Sequence, residues 1–267
     1  MDKVIKSKDR FITTEFYSTE PQRIQRLIET SQRYNLPIYM REGTYTTEVV
    51  MDGVCYKIQT GKREKRANVR DGVFLFGMVK GEALKFAAAN KMILPTEYPV
   101  NDFTTKKAPL NKKWIATDIN SAYWNIAYNL GVISERTYDH GNRYPKSYKT
   151  LRLAALSVLG QQRSYREMIG DEATGRNIII AGNQKLIDVY KLIRFTCYEI
   201  MHELKLKLGK DFVCYRTDEI VYVSTEKNIE LVEAYINEKG LYCKHKEQEN
   251  KPTKELKAEV LDVDVQF

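Results

Sequence analysis

Cysteine and histidine are scarce in this chain. The four cysteines, Cys55, Cys197, Cys214 and Cys243, have no paired metal-ligand spacing, which argues against a zinc ribbon or finger, and they read as reduced thiols. The three histidines, His140, His202 and His245, form no spaced set, so none takes a metal or catalytic role. No apolar run approaches the length that crosses a bilayer. The amino terminus, MDKVIKSKDR, is charged and has no apolar signal core. Together these absences predict a soluble, cytoplasmic protein with no membrane partner. Internal repeats and low-complexity segments are absent as well.

What is present is ordinary globular composition with a basic bias. At 267 residues and 43% apolar content, the chain can bury a sizeable core in one domain or two packed lobes. Lys and Arg outnumber Asp and Glu by 43 to 35, a formal charge of +8 and a pI near 9.1, which favours a polyanionic partner. The densest basic stretch, Gly61 to Arg70, carries Lys62, Arg63, Lys65 and Arg66. It reads equally as a solvated loop or as a nucleic-acid-binding segment that meets phosphates.

Residues 1–110 read as a small mixed N-terminal lobe. Its elements are a helix from Pro21 to Tyr34, strands at Pro37 to Arg41 and Thr47 to Gln59, a strand at Val73 to Val79 and a helix from Glu82 to Lys91. The polar stretch Asn101 to Asn111, with Pro109, is the predicted boundary. Beyond it, Ser121 to Leu130 predicts a helix, and Tyr144 to Ile169 a helix broken at Gly160. Gln184 to Leu208 carries Leu186, Val189, Ile193, Cys197, Ile200 and Leu204 at helical spacing. At ~1.5 Å per residue that helix runs nearly ~40 Å. A hairpin through Asp218, a helix from Asn228 to Lys239 and strands at Leu241 to His245 and Ala258 to Val265 complete an α+β domain, helices on a mostly antiparallel sheet.

Two acids concentrate the chemistry. Asp118 follows the apolar run Trp114 to Thr117, and Asp218 follows Phe212 to Tyr215. One aspartate at a strand end is ordinarily a turn former or a helix cap. Two on one rigid sheet can hold a pair of divalent ions for phosphoryl transfer. The flanking residues favour the second reading. Asp118-Ile119-Asn120-Ser121-Ala122-Tyr123 resembles the first palm motif of family B DNA polymerases, Asp followed three residues later by Ser and five later by Tyr. Arg152 to Gly160 resembles the fingers motif, with Ser157 and Gly160 matching, and Tyr215 to Ile220 resembles the second palm motif, Tyr-Gly-Asp-Thr-Asp-Ser, with one residue fewer. The resemblance covers about residues 112–250 in the family's order. It departs at Arg216 (Asp in the family), Glu219 (Ser), Arg152 (Lys), Leu156 (Asn) and Leu159 (Tyr).

The resemblance implies a polymerase-like palm over 111–267 with a helical fingers insertion at about 131–182. The implied activity is template-directed DNA synthesis, in which Asp118 and Asp218 are the catalytic and metal-binding residues for two Mg2+ or Mn2+ ions. Deoxynucleoside triphosphate would contact Ile119, Asn120, Ser121, Ala122 and Tyr123 at the start of the predicted helix, where unpaired N–H groups bind phosphate. Lys149 and Arg152 share a helix face as a triphosphate clamp, joined by Arg163 if the helix continues, or form a solvated basic face. Tyr123 stands where the family excludes a 2′-hydroxyl, or is a core aromatic. Lys244 and Lys246 are candidates for the primer backbone, with a solvated strand edge as the bland reading; Glu219 is an extra ligand or a solvent-facing turn residue. No Asp in residues 1–110 is followed two residues later by Glu, so the proofreading motif is missing. Only 42 residues follow Thr225, too few for a full thumb, which leaves a place for a second chain with thumb or clamp function. DNA primer–template is the implied partner, and a virus or mobile element, working in bacterial or phage-infected cytosol, the implied setting. The other readings are a polymerase-derived accessory protein that binds without catalysing, and, last, a metal-dependent nuclease.

Overall fold

Leu27, Ile28 and Ser31 recur at the spacing of one helical face and are buried along α1 (Gln22–Tyr34), which ends where Asn35 enters the left-handed region at φ 49°. In the computed structural model, which describes residues 3–5, 11–43, 46–60, 69–104, 110–143, 146–180 and 182–248, α1 packs on a sheet of β3 (Ile38–Glu42), β4 (Thr46–Met51) and β5 (Val54–Gln59). The expected single strand at 47–59 is a hairpin, because Asp52 and Gly53 both take positive φ (48° and 76°) and form a tight turn suited to two antiparallel strands.

The sheet has seven strands. Its order is β1 (Lys3–Ile5), β9 (Glu172–Ile180), β8 (Arg163–Ile169), β3, β4, β5 and β2 (Thr14–Ser18), with parallel pairing only at the two edges. It builds one of two compact units, made of Met1–Val73 and Gly160–Ile187. The helix expected to run on to Ile169 stops before Gly160, and residues 163–180 form a β-hairpin instead. Tyr165, Ile178 and Ile180 give that hairpin an apolar face that the core with Phe11, Val50 and Cys55 absorbs, and this tertiary burial outweighs local helix preference. The fingers insertion expected at about 131–182 is therefore helical only in its first part.

The second unit comprises Phe74–Leu159 and Asp188–Phe267. Its first helix, α2, spans Val69–Ala89 and replaces the strand expected at Val73 to Val79. Leu75, Val79 and Ala83 are fully buried at four-residue intervals, a helical period that the short apolar run FLFGMV disguised. A five-stranded antiparallel sheet follows in the order β12 (Cys243–Gln248), β7 (Trp114–Ile119), β11 (Glu219–Val223), β10 (Phe212–Arg216) and β6 (Asn101–Phe103). Trp114, Ala116, Val213, Cys214 and Val221 form its core. Pairing of β6 with β10 ties the segment taken for a domain boundary into this sheet, so the units part elsewhere than at residue 110.

Five further helices complete the unit or enter it: α3 (Ala122–Asn129), α4 (Glu135–Asn142), α5 (Lys146–Ser157), α6 (Gln184–Leu208) and α7 (Glu226–Glu238). The bounds of α6 are those expected, and all six of its predicted core positions are buried. It runs beside the sheet, where Lys205 reaches Asp102 at 2.6 Å and the Cys197 thiol reaches the Thr217 carbonyl at 3.7 Å. The architecture is thus mixed α+β, with two antiparallel-rich sheets and, among the described residues, seven α-helices. No helix among the described residues is long and apolar enough to cross a membrane. The basic residues Lys62, Arg63, Lys65 and Arg66 and the strand expected at 258–265 lie outside the described residues.

Candidate active site

β10 and β11 pair through Arg216 and Glu219, so their connection is the two-residue turn Thr217-Asp218. Such a turn needs left-handed backbone, and Thr217 supplies it at φ 53°, a conformation unfavourable for a β-branched residue. The strain is placed beside an acid. The Ile119 amide, one residue after Asp118, donates to the Asp218 carbonyl at 3.0 Å, which fixes the turn against the end of β7 and brings the two acids together.

Strand register then lines up a row across the sheet. Lys244 pairs with Asp118, Asp118 with Glu219, Glu219 with Arg216, and Arg216 with Asn101. Directly opposed residues project to the same face, so these five side chains share one. Arg216 binds Glu219 at 2.9 Å, which draws the Glu219 carboxylate toward β10. Burial pushes the Asp218 carboxyl up to about 6; the Asp118 charge adds to the rise, and its backbone hydrogen bond and Lys149 oppose it. Burial also raises Asp118, against the charges of Lys149 and Lys244. Lys149 is exposed on α5, and its charge bears on both acids.

The chain leaves β7 through Ser121, which enters α3 from the left-handed region at φ 47°. The amides of Ile119 and Asn120 are engaged with the Asp218 and Tyr242 carbonyls, so the donors left at the helix start are those of Ser121, Ala122 and Tyr123. Arg152 braces this turn from α5. Its Nη2 donates to Ser121 Oγ at 3.2 Å and its Nη1 to the Gly141 carbonyl at 2.8 Å, while its Nε is buried without a partner. No carboxylate among the described residues pairs with it. Burial lowers its pKa, as expected of a cation that lacks a counter-charge. Gly141 must stay without a side chain, since a Cβ there would stand 2.3 Å from the Trp124 ring.

Tyr123 is the second residue of α3, part-buried, with its hydroxyl 3.2 Å from that of Tyr198 on α6. Arg194, one turn earlier on α6, donates from Nε to the Tyr198 oxygen at 2.9 Å. Burial first, and then the neighbouring Cys197 and Tyr198, raise the Tyr123 phenol far above its ordinary value, so it is neutral at all physiological pH. Cys197, fully buried, is itself raised by burial and by the charges of Asp218 and Asp118. The sequence reading missed Arg194 and Tyr198, although their four-residue spacing around Cys197 on one helix face was the available signal.

The structure brings together Asp118, Asp218, Lys149 and Lys244, and links Ser121 to Arg152. Arg163 is not on the helix of Lys149 and Arg152. It stands on β8 in the other unit, 3.7 Å from Glu48, which also accepts from the Tyr165 hydroxyl at 2.6 Å. Among the described residues no group of three or more His, Cys, Asp and Glu converges, so cation binding here rests on the two aspartates. Two hard oxygen donors, both raised by burial, fit Mg2+ or Mn2+. No known protein family, curated protein or solved structure matches the chain.

Proposed function

We propose that the protein is a template-directed DNA polymerase that transfers nucleotides to a primer 3′-hydroxyl by a two-metal mechanism. The observation that carries this reading is the convergence of Asp118, at the end of β7, with Asp218, in the β10–β11 turn, on one end of an antiparallel sheet. Such a sheet is the rigid support that a polymerase-like palm requires. Divalent ions bound there would lower the pKa of the primer hydroxyl and offset charge on the triphosphate.

The chain's own residues do the rest. Asp118 and Asp218 hold the cations, the N–H groups of Ser121, Ala122 and Tyr123 receive phosphate oxygens at the α3 start, and Lys149 extends toward the same place from α5. Arg152 acts through Ser121, fixing the turn that presents those donors. Lys244, exposed beside Asp118 on the edge strand, is placed to meet a phosphate of the primer.

One observation favours the accessory-protein reading. Leu156 and Leu159, at positions where similar polymerases handle the nascent base pair, are both buried at 1% exposure. Extension of a labelled primer with Mg2+ or Mn2+ decides between the readings. Wild type should add templated deoxynucleotides, and Asp118→Asn and Asp218→Asn should each lose the activity while melting cooperatively. Wild type that binds primer–template but adds nothing points to the accessory role, and full activity in either variant removes the site.

A further inference from the structure

We propose that Arg194 is a specificity-determining residue that acts through Tyr198 to hold Tyr123 against the sugar of the incoming nucleotide. The inference rests on the polymerase reading above and extends it to a part of the site that no motif marks.

Three observations carry it. First, the contacts form a continuous line: the Arg194 guanidinium donates to the Tyr198 oxygen at 2.9 Å, leaving that hydroxyl's proton and second lone pair for the Tyr123 hydroxyl at 3.2 Å. Second, ring contacts hold Arg194 in place in addition to its one hydrogen bond. Its guanidinium carbon lies 5.5 Å from the ring centroids of both Tyr190 and Tyr198, so the cation is sandwiched on α6 by aromatic faces. Third, no carboxylate among the described residues neutralises it, and its position serves only this tyrosine group. A half-buried guanidinium set between two tyrosine rings, with a tyrosine oxygen as its acceptor, is suited to orienting that tyrosine.

The physical consequence concerns freedom of the Tyr123 side chain. A tyrosine discriminates against a 2′-hydroxyl only if its ring cannot swing aside, because a ring that yields relieves the overlap. Fixing the ring at its far end, through the phenol oxygen, blocks that swing. α6 also carries Cys197, whose thiol meets the Thr217 carbonyl in the acid turn, so the same helix sets both the gate and the acids. Arg194 does not touch the reacting atoms in this scheme and is a positioning residue.

The test uses the full chain on a DNA primer–template and reads kcat/KM for a deoxynucleotide and its ribonucleotide counterpart under one metal. The variants are Arg194→Lys, Tyr198→Phe and Tyr123→Phe, with thermal melting alongside. Each should raise ribonucleotide kcat/KM, so that discrimination falls by roughly fivefold, about the effect of losing one hydrogen bond. The Arg194→Lys and Tyr198→Phe double variant should fall no further than either single one, as members of one chain do. Tyr123→Ala sets the floor. A rise in ribonucleotide use is not what a loosened fold produces, and the thermal melts read any loss of stability separately. Unchanged discrimination in both Arg194→Lys and Tyr198→Phe overturns the inference, as does wild type that incorporates both sugars equally; in either case templated synthesis still stands. Wild type that incorporates nothing removes the polymerase reading and this inference with it.

Discussion

Replacing Asp218 with Asn should stabilise the metal-free protein. The folded structure moves the Asp218 carboxyl from 3.8 to about 6, chiefly by burial and then by the Asp118 charge. That rise corresponds to ~3 kcal/mol against keeping the ionised form folded at neutral pH. The sign is opposite to that of a salt-bridged carboxylate. Between pH 3.8 and about 6 the folded chain binds the proton more tightly than the unfolded one, so stability falls as pH rises through that window and the full cost is present above it. About half of the ~3 kcal/mol should remain at pH 5. Asn carries no charge and nearly the same shape, so it should recover much of this, less whatever its amide leaves unpaired. At roughly 2–4 °C per kcal/mol for a chain of this size, Asp218→Asn should melt several degrees above wild type at pH 7.5 in EDTA, and the gap should narrow at pH 5. Adding Mg2+ should raise wild type far more than the variant, since a ligand of the native state stabilises it by mass action. The reasoning fails if the variant melts at or below wild type in EDTA, or if the gap is the same at both pH values.

Breaking the row across the sheet should be costly in a particular way. Arg216→Gln leaves the Glu219 carboxylate unpaired opposite Asp118 and should destabilise by ~1–3 kcal/mol, and Glu219→Gln in that background should restore most of it; a double-mutant cycle in denaturant that shows no coupling sinks the assignment. Gly141→Ala should destabilise by ~1–3 kcal/mol, because the new methyl meets the Trp124 ring at 2.3 Å, and should weaken nucleotide binding through displacement of the carbonyl that anchors Arg152; unaltered melting would show that α4 yields freely.

Elements governed by local pattern are readable from the residues alone. The period of buried residues along α6 was legible to its ends, as were α1, α7 and the strands that lead into Asp118 and Asp218. The two acids were legible because a turn residue that follows an apolar strand is marked by its neighbours on both sides. Tertiary structure decided the rest. The run FLFGMV and the segment after Gly160 each fit a helix or a strand locally, and their burial partners chose helix for α2 and hairpin for residues 163–180. That choice put Arg163 on a strand rather than on the helix of Lys149 and Arg152, with which sequence spacing alone had grouped it. The Arg216–Glu219 pair, the brace of Arg152 on Ser121, and the line from Arg194 to Tyr123 depend on register and on helix approach across separations of up to 75 residues. A period of two or of 3.6 residues tells which face of an element is apolar. It does not tell which residue of another element that face will meet.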